Sequence, residues 1–199
     1  MTSTKYSTRG LLILSAAQKL FLANGYDETS LEMILDKSGG SRRSIYSEFG
    51  NKEGLLLAVI KLQVATQAKT LSNIDYRQQP EQALIAMCES FIEGMISPEM
   101  VSFFRLINYL IPKIPEVGML VYESGPLTGH LPIVEYFEYL QEQNILTIND
   151  KDFAAITLIN MAKTSLHMKA VMVPSIIITK EEISIQAKKA VNLFLNAYR

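Results

Sequence analysis

The chain has 199 residues, 48% of them hydrophobic, which is enough for one large or two small domains with a substantial core. Charged residues make up 20% and 19 basic side chains face 20 acidic ones, so the composition excludes a disordered chain, a collagen-like chain and a polycationic nucleic-acid coat, but not a local basic patch. A single cysteine, Cys88, excludes a disulfide framework and a cysteine-rich zinc site, and no run of apolar residues is long enough for a transmembrane helix.

At the start of the chain, Lys5 and Arg9 precede the apolar stretch Gly10–Ala17 and imitate a short secretory signal. Lys19 follows at once and the pattern continues through Leu20 and Phe21 as an amphipathic helix, so the expected location is the cytoplasm. Apolar residues recur at helical spacing, and the glycines and prolines cluster between these stretches. The spacing predicts helices over residues 8–24, 30–37, 42–48, 52–72, 80–96, 98–111, 115–142 (broken near Gly125-Pro126), 150–171 and 180–197. Thr29-Ser-Leu-Glu32 and Thr179-Lys-Glu-Glu182 read as capping boxes, while Asn51, Ser97 and Ser41 read as further N-caps. The strand-like run Ser175–Thr179 is too short to pair and reads as a loop anchored on the core. The expected fold class is all-α.

Residues 29–53 carry the most specific chemistry. A short helix with Leu31, Ile34 and Leu35 on its apolar side is followed by the turn Ser38-Gly-Gly-Ser41 and a second short helix whose apolar side is Ile45 and Phe49. Helix, tight glycine turn, helix is the helix-turn-helix plan, in which the second helix enters the DNA major groove N-terminus first. Arg42, Arg43 and Ser44 occupy the first turn of that second helix, where side chains reach base edges. Two arginines there oppose the helix dipole and point to an outside anion. Tyr46 and Lys52 are placed to contact phosphates. The same pattern also fits an ordinary solvated charged face, and the first 60 residues hold only seven basic against six acidic side chains.

Ala17, Leu20-Phe21, Gly25-Tyr26, Thr29-Ser30, Ile34, Gly39, Ser41, Ile45-Tyr46, Phe49 and Lys52-Glu53-Gly54-Leu55, spaced without a gap, resemble the N-terminal DNA-binding module of TetR-family transcriptional regulators. The resemblance spans about residues 10–58. It implies a helix-turn-helix domain over residues 1–55 and a helical ligand-binding and dimerisation domain over 56–199. It also implies phosphate contacts from Tyr46, Lys52 and either Thr29 or Ser30, with base reading by Arg42, Arg43 and Ser44 beside the Ser41 cap. Three positions depart from the family pattern: Leu35 and Arg43 replace small residues, and Gly40 replaces an apolar one.

The resemblance further implies a small-molecule pocket in the second domain. Methionines and aromatics crowd that region, where they serve either a core or an adaptable apolar site. The interrupted segment 112–132 places the expected pocket beside Phe103, Phe104 and Asn108, with Tyr122, His130 and Tyr136 as polar contacts; a break that merely turns the chain reads equally well. The last two helices are expected to form a homodimer, because 153–171 is apolar nearly all round and Ile183, Ala187, Ala190, Val191, Phe194 and Tyr198 form a stripe. No catalytic constellation, metal site or cofactor motif is present. The expected function is a ligand-responsive transcriptional regulator, a repressor released from a palindromic operator by an apolar or aromatic inducer. The alternative is a helical small-molecule-binding or interaction protein without sequence-specific DNA binding.

Overall fold

The computed structural model describes residues 6–68 and 74–198. Among the described residues there are ten helices and no strand. The first five are α1 (Thr8–Asn24), α2 (Leu31–Ser38), α3 (Arg42–Phe49), α4 (Lys52–Ala68) and α5 (Pro80–Ile96). The others are α6 (Pro98–Leu110), α7 (Pro115–Ser124), α8 (Leu131–Glu142), α9 (Lys151–Met172) and α10 (Lys180–Tyr198). The all-α reading holds, and the helix expected near 115–142 is broken into α7 and α8 around Gly125-Pro126. Lys5 and the end of the helix expected over 52–72 lie outside the described residues.

The chain divides into two compact units that are not contiguous in sequence: residues up to Val64 with Ser102–Val121, and Ala65–Val101 with Tyr122–Arg199. A single boundary at residue 55 therefore does not describe the packing, because the start of α4 and residues 102–121 group with the N-terminal segment. In the first unit, α1 packs on both α2 and α3. Its buried side chains include Ile13, Leu14, Ala17, Leu20 and Phe21, while α2 buries Ile34, α3 buries Ile45 and Phe49, and α4 buries Leu55, Leu56, Val59 and Ile60.

The second unit has one apolar cluster contributed by α5, α8, α9 and α10. The small residues Ala154, Ala155 and Ala162 of α9 let its neighbours approach closely, and Phe137 stacks on Phe194 with ring centroids 5.0 Å apart. Cys88 is buried in this cluster, and burial pushes its thiol up to about 12, which leaves it an inert packing group. The Thr179–Glu182 capping box forms as expected: Thr179 N donates to Glu182 Oε2 at 2.9 Å, and Glu182 N donates to Thr179 Oγ1 at 3.2 Å. The run 175–179 begins in a turn, with Ile176 N donating to Val173 O at 3.0 Å, and forms no strand; Ile176 and Ile178 are half-buried and Ile177 faces solvent.

The other capping box is not made. Ser30 rather than Thr29 caps α2, accepting from Met33 N at 3.2 Å. Ser41, Asn51 and Ser97 accept from the backbone N–H three residues on, as N-caps do. A further contact ties α3 to the start of α1. Ser7 is the α1 N-cap, and its own N–H and hydroxyl donate to the two carboxylate oxygens of Glu48 at 3.1 and 2.5 Å. This places a negative charge at the positive end of α1. It also explains a glycine inside the first turn: a Cβ on Gly10 would stand 1.9 Å from Glu48 Oε2.

Gly10→Ala is expected to gain about 1 kcal/mol of helix propensity and to forfeit the Glu48 hydrogen bonds, each worth about 1 kcal/mol, for no net stabilisation. In a Glu48→Ala background the same substitution is expected to stabilise by about 1 kcal/mol. Urea unfolding of the four proteins of this cycle measures the difference.

Candidate nucleic-acid interface

The turn between α2 and α3 bends through Gly39 and Gly40, whose φ values of 70° and 101° are costly for other residues. Arg9 lies over this turn: its Nη1 donates to Ser38 O at 3.1 Å, and a Cβ on Gly40 would come within 3.2 Å of its Cδ. A side chain at position 40 would be strained by the φ of 101° and would push the Arg9 side chain aside by a few tenths of an ångström. Arg9 is thus part of α1 and braces the turn.

With Ile45 and Phe49 turned inward, α3 presents Arg42, Arg43, Tyr46 and Ser47 outward. Ser44 is half-buried and its hydroxyl lies 3.3 Å from that of Ser41, so both serines are engaged at the helix cap. The two arginines are not equivalent. Arg42 Nη2 donates to Glu32 Oε1 on α2, whereas Arg43 has no ion-pair partner among the described residues. Tyr46 is exposed beside them.

Thr29 does not belong to this surface. It is completely buried, and its hydroxyl donates to Gly25 O at 2.7 Å and Leu20 O at 3.3 Å, serving carbonyls near the end of α1. Of the pair Thr29 and Ser30, only Ser30 retains exposure. Lys52 sits over the Tyr26 ring, 4.4 Å from its centroid, with Nζ 3.4 Å from Asp27 O. Asp27 in turn accepts from Tyr109 Oη and from Lys113 Nζ, the latter at 2.6 Å. These bonds, Lys113 first, hold the Asp27 carboxyl below its ordinary range, so the contact is complete above that lowered value and is lost as pH falls through it. The pairs Glu32–Arg42, Glu48–Ser7 and Asp27–Lys113 carried no local signal, because their members lie 10 to 86 residues apart in the sequence.

The residues expected around a ligand are distributed over both units. In the first, Phe103 is buried, Phe104 is partly exposed, and the Asn108 amide donates to its own helix at Phe104 O, 2.7 Å away. In the second, Tyr122 is exposed, while His130 and Tyr136 are buried. His130 Nε2 pairs with Asp152 Oδ1 at 2.9 Å, and among the described residues neither its buried Nδ1 nor the buried Tyr136 hydroxyl has a hydrogen-bond partner. Tyr136 packs edge-on against Tyr76 at 4.9 Å; burial first, then neighbouring tyrosines and Asp75, push its phenol up to about 12 and keep it a donor. Two clefts of about 490 and 290 Å³ open on the second unit, lined by Pro80, Ile85, Ile145 and Leu195 in one and Ile96, Ala170, Ile178 and Ile183 in the other. None of the six expected ligand residues lines either cleft.

Comparison with known proteins bears on both parts of the chain. Residues 13–59 match the family described as bacterial regulatory proteins, tetR family, and residues 82–199 match the C-terminal domain of AefR-like transcriptional repressors. YezE of Bacillus subtilis, an uncharacterised HTH-type transcriptional regulator, is 27% identical over 78% of this chain and 82% of its own length. A Mesorhizobium loti protein described as a TetR-family transcriptional regulator has a similar structure, with a TM-score of 0.91 at 24% identity over 98% of this chain and 99% of that one. The flavonoid-responsive regulator FrrA superposes with a TM-score of 0.80 at 23% identity, over 96% of this chain and 97% of its own.

Because the Thr29 hydroxyl is spent inside the module, Thr29→Val is expected to cost about 1–3 kcal/mol of stability and to leave the DNA affinity of the folded fraction unchanged. Unfolding curves and duplex titrations on the same preparation separate the two effects.

Proposed function

We propose that this chain, which belongs to the TetR family of bacterial transcriptional regulators, is a homodimeric repressor released from a palindromic operator in the cytoplasm by an apolar or aromatic small molecule. The observation that carries the reading is α3: an eight-residue helix with Ile45 and Phe49 inside and Arg42, Arg43 and Tyr46 outside, arranged to enter a major groove. Arg42 and Arg43, the latter without an ion-pair partner among the described residues, read base edges; Tyr46, Ser30 and Lys52 contact phosphates, with Lys52 leaving the Tyr26 ring to do so.

Dimerisation through α9 and α10 is supported by large apolar side chains that the second unit leaves outside its core: Phe153, Ile156, Met168 and Met172 on α9, and Ile185 and Leu193 on α10. Phe153 is 63% and Leu193 65% exposed, and a second copy packed on these helices would bury them. Two copies related by a two-fold axis would place their recognition helices one duplex turn apart, about 34–36 Å. For the inducer, the Tyr136 hydroxyl and His130 Nδ1, buried and without a partner among the described residues, are a donor and an acceptor that a hydroxylated aromatic would satisfy. The flavonoid response named for FrrA is in keeping with that class.

Selection from random duplexes is expected to yield a palindromic site. Arg43→Ala should weaken that site by about 1–3 kcal/mol and relax preference at one base position per half-site. Lys52→Ala should weaken all duplexes alike and lower the salt slope by about one. Enrichment of no sequence by the wild-type chain overturns the repressor reading, and sedimentation at the mass of a single 22.3 kDa chain at micromolar concentration overturns the dimer. A compound that releases the operator should bind more weakly when operator is present, by the factor with which it weakens DNA binding, and Tyr136→Phe should reduce its affinity.

A further inference from the structure

The Glu32–Arg42 pair is placed where an acid is a liability. Both side chains are exposed, 53% for Glu32 and 64% for Arg42, and an ion pair so exposed adds little to stability. Glu32 stands in the first turn of α2 but does not close a capping box, since Ser30 is the cap and Thr29 is turned inward. A carboxylate beside the first turn of α3 repels the phosphates of any duplex that α3 approaches.

We propose that Glu32 is a positioning residue that sets the base preference of α3 by orienting Arg42; the inference rests on the reading that α3 lies in a major groove. A guanidinium is a planar fork of five N–H donors, and a carboxylate on one terminal nitrogen fixes the plane of the fork while leaving the other donors open. A guanine edge offers two acceptors, O6 and N7, that such a fork meets only in one orientation. Without Glu32, Arg42 is a mobile cation beside Arg43, and the nearest phosphate satisfies it whatever the sequence. Glu32 thus acts twice in the same direction: it aims Arg42 at a base, and its charge lowers affinity for duplexes that offer no matching guanine. Arg43, which has no such brace, remains adaptable.

The test compares the wild type, Glu32→Gln, Glu32→Ala, Arg42→Ala and the double variant. Each is assayed for the duplex sequence it selects and for its affinity, over a range of salt, for the wild-type operator and a scrambled duplex. Glu32→Ala is expected to raise affinity for the scrambled duplex, to reduce the ratio of operator to scrambled binding about tenfold, and to erase preference at one base position per half-site. Arg42→Ala is expected to erase that same position, and adding Glu32→Ala to it should leave the selected sequence unchanged. Glu32→Gln, which keeps an acceptor without the charge, should retain part of the preference. Equal changes in operator and scrambled affinity for Glu32→Ala overturn the proposal by reducing Glu32 to a bulk charge. So does a base effect of Glu32→Ala that persists in the Arg42→Ala background, since Glu32 would then touch the base itself. If the wild type selects an operator and Glu32→Ala selects the same one with the same discrimination, only this inference fails; if the wild type selects nothing, the major-groove reading fails with it.

Discussion

A helix shorter than about 12–15 residues does not hold its shape in water by propensity alone, and α3 has eight residues. Everything that makes its outer face useful must be supplied by its neighbours. Ile45 and Phe49 pin its inner side, Ser41 satisfies the first turn, and Gly50 closes the last with its N–H on Tyr46 O. Arg9 braces the turn before it, Glu32 takes one of its arginines, and Glu48 ties its last turn to the start of α1. The orientation of Arg42, Arg43 and Tyr46 is therefore a property of the three-helix assembly, and substitutions on α1 or α2 are felt on the face of α3.

The local part of this arrangement was legible in the residues. Helix limits followed from apolar spacing and from Ser41, Asn51, Ser97 and Thr179, because capping acts over three residues and is written next to itself. The glycine turn and the inward pair Ile45 and Phe49 followed from the same short-range rules. What was not legible joins distant positions. Thr29 and Ser30 are both competent caps, and only the approach of the end of α1 decides that Thr29 turns inward. The Arg9 brace had no signal in the sequence because its partner, the Ser38 carbonyl, is 29 residues away. A backbone carbonyl also leaves no trace in a side-chain pattern.

The second unit shows a different limit. α9 reads as apolar on nearly every side, and periodicity cannot sort a face that meets the core from one that does not when both are apolar. Packing sorts them by position: Ala154, Ala155, Leu158, Ala162 and Leu166 lie in the core, while Phe153, Ile156, Met168 and Met172 are left outside. The ligand residues were the least legible, because a buried donor is recognisable only when its surroundings are known. Asn108, embedded among apolar residues on its helix, satisfies itself on Phe104 O, whereas the Tyr136 hydroxyl has no partner among the described residues.

The close approach of Glu48 to Gly10 also constrains how this module can change over generations. A lineage that fills position 10 first loses the carboxylate contact on Ser7 before anything replaces it, whereas one that replaces Glu48 first frees position 10 for any good helix former. The two positions are separated by most of the DNA-binding module, yet the order in which they are substituted is not reversible without penalty. Among descendants of this chain, a larger residue at position 10 is the record of an acid that has left position 48 or turned away from Ser7.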